Sequence, residues 1–206
     1  MKDVRKKIFV YGDSISMQYG FPLKEILEKR NCGYERKGGS NSTDLANPVW
    51  NGLSSHEMLD WVQQQPRRDM ALLFNCGLHD IVRGGPQKPC RTDAGTYEKN
   101  LIQICGEAKK RFSQIVFANT TPVEDSGFDM PRGWMRFNRD VILYNRIAES
   151  VMAACGVSVI DLYTYTAALK KEFAVYRDSV HMTGRASGLQ AERIVNQLAE
   201  WGIVDG

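Results

Sequence analysis

Five short apolar runs, each followed by a longer amphipathic stretch, constrain this chain more than any other feature. The runs are Ile8–Tyr11, a weaker one near Tyr34–Arg36, Ala71–Phe74, Ile115–Ala118 and Val157–Ile160. Runs this short, β-branched or aromatic and bounded by glycine or polar turns, read as strands buried on both faces, as in a parallel sheet. Helical patterns fall over Leu23–Arg30, His56–Gln65, Tyr97–Phe112, Val141–Cys155 and Thr183–Trp201. In the second of these, Met58, Leu59 and Val62 share one face, and Ser54 or Ser55 can cap its start. The alternation predicts an α/β chain: a three-layer α/β/α sandwich of about five parallel strands with right-handed crossovers. No repeat, low-complexity segment or linker divides the sequence, so residues 1–206 read as one domain.

Several classes drop out on composition. Lysine plus arginine number 27 against 24 acidic residues, an excess too small and too scattered for a nucleic-acid surface. No apolar run reaches the roughly 18 residues that would span a membrane. Ahead of Gly12 the start holds a basic cluster and the run Ile8–Tyr11, short of the roughly 7–15 apolar residues of a secretory leader. The five cysteines are odd in number, widely spaced and without a C-x-x-C pair, which argues against a zinc site or a disulfide framework. A reducing, cytoplasmic setting fits them. His56, His79 and His181 show no paired ligand spacing, so no metal is expected.

Two stretches exceed ordinary loop length: 38–53, rich in Gly, Asn and Ser, and 120–138, which mixes Pro and Gly with large apolar residues. Both follow predicted strands. They therefore belong at the carboxyl edge of the sheet, where open α/β folds bind ligands.

Three polar clusters fall at the same edge. Tyr11-Gly12-Asp13-Ser14 leaves the first strand, and its glycine permits a sharp exit that sets Ser14 at the mouth of a helix. The plainer reading is that Asp13 or Ser14 only caps that helix. Near the C-terminus, Asp178 precedes His181 by three residues. A carboxylate at that spacing can accept the imidazole Nδ1–H and leave Nε2 to take a proton from a serine. A serine hydroxyl needs such a base to act as a nucleophile near neutral pH. Asn75-Cys76-Gly77-Leu78-His79-Asp80 follows the third strand. There His79 can offer an N–H to an anion, or else His79 or Asp80 caps the next segment.

Gly12-Asp13-Ser14, Gly77-x-His79-Asp80 and Asp178-x-x-His181 resemble the first, third and fifth sequence blocks of the SGNH (GDSL-like) hydrolases, in order and across nearly the whole chain. The context Val180-His181-Met182-Thr183-Gly184 resembles that family's last block. The resemblance implies a flavodoxin-like sheet, a triad of Ser14, His181 and Asp178, and no cofactor. It also implies an oxyanion hole built from the Ser14 N–H, a second-block glycine N–H and a third-block asparagine. Here the asparagine is replaced by His79. For the glycine, Gly52 is favoured because it immediately precedes the helix beginning near Ser54, with Gly38 and Gly39 in reserve.

The implied activity is hydrolysis of a carboxylic ester through an acyl-enzyme, with a small-molecule or oligosaccharide ester as substrate. Trp134, Arg132 and Arg136 in the loop after the fourth strand, and Arg83 beyond His79, suit stacking on a sugar ring and pairing with a carboxylate. That favours removal of an acetyl group from a carbohydrate. Trp134 packing its own loop down is the plainer reading. The family also holds lipases and thioesterases. The His79 departure raises a further alternative, a carbohydrate-binding protein on this scaffold with weak or no turnover. A phosphate or flavin binder is disfavoured because Asp13 stands where a glycine-rich cradle would be. Oligomeric state is not legible.

Overall fold

The structure, a computed structural model, describes residues 6–125, 128–129 and 133–205. A five-stranded sheet is built from β1 (Lys7–Tyr11), β2 (Gly33–Arg36), β3 (Arg68–Phe74), β4 (Phe112–Ala118) and β7 (Ser158–Ile160), in the order β2-β1-β3-β4-β7. Every pairing in it is parallel. The five strands expected from the apolar runs are these five. Val10, Leu72, Phe74 and Phe117 are fully buried, as strands covered on both faces require.

Among the described residues, six helices flank the sheet: α1 (Ser14–Lys29), α2 (Ser55–Gln63), α3 (Ala94–Arg111), α4 (Asn138–Ala154), α5 (Leu162–Leu169) and α6 (Gly184–Glu200). Helix α6 packs on α1 and α5, while α3 packs on α2 and α4, giving the two outer layers of an α/β/α sandwich. Among the described residues, no helix is long and apolar enough to cross a membrane.

Three elements differ from the sequence reading. Helix α1 starts at Ser14 rather than Leu23 and runs through Pro22. Ile15, Met17 and Tyr19 on its first turns are buried, and that packing overrides the local cost of the proline. Helix α5 was not anticipated. Asp161 caps it by accepting the Thr164 N–H, and its high apolar content hides any amphipathic period. A two-stranded antiparallel hairpin, β5 (Phe128–Asp129) with β6 (Trp134–Met135), lies within the long loop after β4.

The strand order places a topological switch point between β1 and β3. The first crossover leads from β1 to β2 on one side, and the next returns past β1 to β3 on the other. The chain leaving the paired carboxyl ends of β1 and β3 thus departs to opposite faces and opens a crevice, the usual ligand position in open parallel sheets.

Candidate active site

Ser14 opens α1 directly above the end of β1. Asp13 is the N-cap, accepting the Ile15 N–H at 2.9 Å with one oxygen and the Asn75 side-chain amide at 3.3 Å with the other. It is completely buried, and that burial raises its carboxyl above the ordinary range against the opposing hydrogen bonds. Capping by Asp13 leaves the neighbouring hydroxyl at the helix mouth. Among the described residues, no acceptor takes the Ser14 backbone N–H. It points out of an α-helical N-terminus, where anions are stabilised.

His181 comes to this serine from the far end of the chain. Its Nε2 lies 2.9 Å from Ser14 Oγ, and its Nδ1 lies 2.8 Å from Asp178 Oδ2. The other Asp178 oxygen accepts the backbone N–H groups of Val180 and His181, both at 2.7 Å. Burial would raise the Asp178 carboxyl, but those two N–H groups and the His181 ring together lower it below its ordinary value. An ionised Asp178 accepts from Nδ1–H and so leaves Nε2 as the imidazole's acceptor.

Gln18, one turn along α1 from Ser14, fixes the approach of that segment. Its side-chain amide donates to the Met182 carbonyl at 2.9 Å and accepts the Met182 N–H at 2.9 Å. This two-point contact resembles a strand pairing made by a side chain, and it locks the residue after His181 onto the helix that carries Ser14. Sequence reasoning missed Gln18, because nothing local connects it with residues 164 positions away.

A cavity of about 390 Å³ opens above Ser14 and His181. His79, Leu78, Trp134 and Arg136 form one wall, the loop residues Thr43–Ala46 with Asn51 and Leu53 another, and Arg177 and Val180 a third. Both long loops singled out in the sequence thus contribute. His79 is buried, and its ring meets Trp134 edge-on at 5.8 Å. Beside it, Asp80 accepts the Ser55 N–H and the Ser55 hydroxyl, the latter at 2.6 Å, and so holds the start of α2. Burial pushes the Asp80 carboxyl up to about 6 despite these bonds. The Asp80 side chain thus serves the start of the preceding helix α2 rather than capping the segment that follows it, and His79 is the member of that pair that faces the cavity. Ser54 caps α2 in a capping box with Glu57.

Gly52 does not supply the N–H expected of it. That N–H donates to the Gly12 carbonyl at 2.8 Å, and the Tyr11 hydroxyl donates to the Gly52 carbonyl at 2.7 Å. A Cβ on Gly52 would lie 2.6 Å from the Tyr11 ring and 2.7 Å from the Gly12 oxygen, so the glycine is there for close packing against the exit of β1. The next three N–H groups are also engaged: Leu53 with the Asn51 side chain, Ser54 with Glu57 and Ser55 with Asp80. Gly38 and Gly39 do not replace Gly52. Both adopt positive φ in the turn after β2, and neither lines the cavity.

Of the expected substrate contacts, Trp134 lines the cavity, with the guanidiniums of Arg91 and Arg136 over its ring at 4.7 and 5.6 Å. Packing of its own loop and lining of the cavity are both true of it. Arg83 is elsewhere: it pairs with Asp140 through two 2.7 Å hydrogen bonds and donates to the Lys88 carbonyl. An ion pair with a carboxylate on α4 removes it from substrate contact. Arg132 and its neighbour Met130 lie outside the described residues. Arg136, whose Nε donates to the Leu78 carbonyl at 2.7 Å, and Arg177 are the cavity arginines. Arg177 adjoins Asp178 in the sequence, which was the one signal pointing to it.

No family model and no curated protein matches the chain by sequence. Solved structures do match in fold. A member of the lipolytic G-D-S-L family from Veillonella parvula superposes with a TM-score of 0.66 at 18% identity, over 93% of this chain and 97% of that one. A lipase/acylhydrolase from Enterococcus faecalis gives 0.70 at 15% identity, over 97% of each chain. An acetylxylan esterase from Geobacillus stearothermophilus gives 0.71 at 16% identity, over 96% of each. The chain has the fold of these proteins along nearly its whole length.

Proposed function

We propose that this chain, which shares the fold of the lipolytic G-D-S-L proteins, is a carboxylic ester hydrolase with Ser14 as nucleophile, His181 as general base and acid, and Asp178 as the group that orients His181. The observation that carries this reading is the continuous relay from Ser14 Oγ to His181 Nε2 at 2.9 Å and from Nδ1 to Asp178 at 2.8 Å, at the floor of a cavity.

In this mechanism His181 Nε2 takes the Ser14 proton as Oγ bonds to the ester carbonyl carbon. The carbonyl oxygen becomes an oxyanion, met by the Ser14 N–H at the start of α1 and by an N–H of His79. Collapse of the intermediate breaks the bond to the alcohol oxygen, which leaves with the proton from His181. Water, deprotonated by His181, then attacks the acyl carbon and returns Ser14 to its free form. With the Gly52 N–H given to the Gly12 carbonyl, this oxyanion site rests on one backbone N–H and one imidazole.

The substrate reading is removal of an acetyl group from a carbohydrate. It is supported by a cavity large enough for a sugar ring, by Trp134 and Arg136 on its wall, and by the presence of acetylxylan esterases among proteins of the same fold. The test is release of acetate from p-nitrophenyl acetate and from acetylated xylo-oligosaccharides, by the native chain and by Ser14→Ala and His181→Ala. Native turnover with loss of about 10³-fold or more in both variants supports the reading. Full activity in either variant rejects the triad, whereas no native turnover together with no reaction of Ser14 with a fluorophosphonate rejects the esterase reading in favour of a binding protein.

A further inference from the structure

A second cavity of about 270 Å³ adjoins the first, sharing Thr43, Leu45 and Arg177 with it. It runs between the outer side of α1 and the start of α6, and its walls include Met17, Phe21, Pro22, Leu45 and Met182. Phe21 is 41% exposed there, an aromatic ring turned to an open groove without cover. Gln18 also lines the groove, but both ends of its amide are held by Met182, so it brings no unmet polar group.

The position of this annex relative to the reacting atoms identifies which half of an ester can enter it. In the proposed mechanism the oxyanion lies between the Ser14 N–H and His79, and neither His79 nor its neighbours Leu78, Trp134 and Arg136 line the annex. The alcohol oxygen must lie at His181 Nε2, because His181 returns its proton there. The annex opens on that side. Met182 follows His181 in the chain, Gly184 and Ser187 continue from it, and the Arg177 N–H donates to the His181 carbonyl at 2.8 Å.

We propose that the annex binds an apolar segment of the leaving alcohol, so that the substrate is an ester of an alcohol with an alkyl or aryl portion; for a sugar ester that portion is the aglycone. This rests on the esterase reading above and specifies it. Mostly apolar walls with a few polar groups, here Ser42, Thr43, Arg177 and the Ser187 hydroxyl, are the ordinary composition of a small-molecule subsite. Each methylene drawn from water into such walls raises apparent affinity by roughly fourfold when fully buried.

The test compares ethyl acetate, hexyl acetate and ethyl hexanoate as substrates of the whole chain. Hexyl acetate is expected to exceed ethyl acetate in kcat/KM by about tenfold or more, mainly through KM, whereas ethyl hexanoate shows no gain. Two variants localise the effect. Gly184→Phe fills the annex from a position where an added Cβ meets no atom within 4 Å, and Phe21→Ala removes one wall. Both should abolish most of the hexyl preference and leave ethyl acetate turnover unchanged. Equal rates on ethyl and hexyl acetate, a gain on ethyl hexanoate instead, or a hexyl preference that survives Gly184→Phe would each overturn the assignment. Failure of the esterase reading itself is distinct, since ethyl acetate would then not be turned over or Ser14→Ala would retain the activity.

Discussion

Arg83 and Asp140 form a fork-to-fork ion pair, two 2.7 Å hydrogen bonds joining the segment after β3 to the first turn of α4. The same Arg83 exchanges two backbone hydrogen bonds of 2.9 Å with Met135, so the pair and the bridge together anchor the hairpin that carries Trp134. Both side chains are largely buried, 17% and 8% exposed. Removing one partner leaves the other charge desolvated. Arg83→Ala is expected to lower unfolding free energy by about 3 kcal/mol in urea titrations. A change below about 0.5 kcal/mol would mean that the pair is solvated and the hairpin is held by other contacts.

Asp178→Asn keeps the size of the side chain and an acceptor for the Val180 and His181 N–H groups, but turns an amide N–H toward His181 Nδ1. The imidazole is then driven to the tautomer with its proton on Nε2, which cannot accept from Ser14. A fall in kcat of about 10³–10⁴-fold with little change in KM is the expected result. The pH profile carries its own sign. Because the hydrogen bonds at Asp178 lower its carboxyl, any support it lends the fold is present above the ordinary carboxyl range and is lost only as pH falls through the lower folded value. An acid limb of activity between pH 5 and 8 therefore arises from a group other than Asp178.

In the proposed mechanism His79 donates an N–H to the oxyanion. His79→Ala should reduce kcat by about 10²-fold, while His79→Asn, which restores a neutral N–H donor, should retain activity within about tenfold of the native chain. Steady-state kinetics on p-nitrophenyl acetate separate the two. Equal activity in His79→Ala and the native chain would remove His79 from the oxyanion site.

Asp80, raised by burial to about 6, makes stability depend on pH in the opposite direction from Asp178. Between about pH 4 and 6 the folded chain holds this proton and the unfolded chain does not, so the contribution is full at low pH and disappears as pH rises through 6. Asp80→Asn removes that dependence. Comparing urea unfolding at pH 4.5 and 7.5, the native chain should gain about 2 kcal/mol at the lower pH relative to the variant. Parallel behaviour of the two proteins would show that the carboxyl titrates normally.

Some of this was written locally in the chain and some was not. Short β-branched and aromatic runs depend only on neighbours two and four residues away, so all five sheet strands were legible, while for the start of α2 the sequence offered Ser54 or Ser55 and the structure chose Ser54. The Asp178-x-x-His181 contact is also local, closed within one turn by backbone N–H groups. Nothing local, by contrast, revealed that packing of Ile15, Met17 and Tyr19 would carry α1 through Pro22.

What the amino-acid order determined by itself was the five sheet strands, their alternation with helices and the polar residues at the strands' carboxyl ends, because periodicity and capping act over a few residues. The partners of those residues were decided by tertiary structure alone. Gly52 gives its N–H to Gly12, Arg83 goes to Asp140, and Gln18 grips Met182 across most of the chain. Such choices depend on which groups are desolvated together once the layers close, and a buried N–H or charge takes the nearest acceptor that the fold supplies.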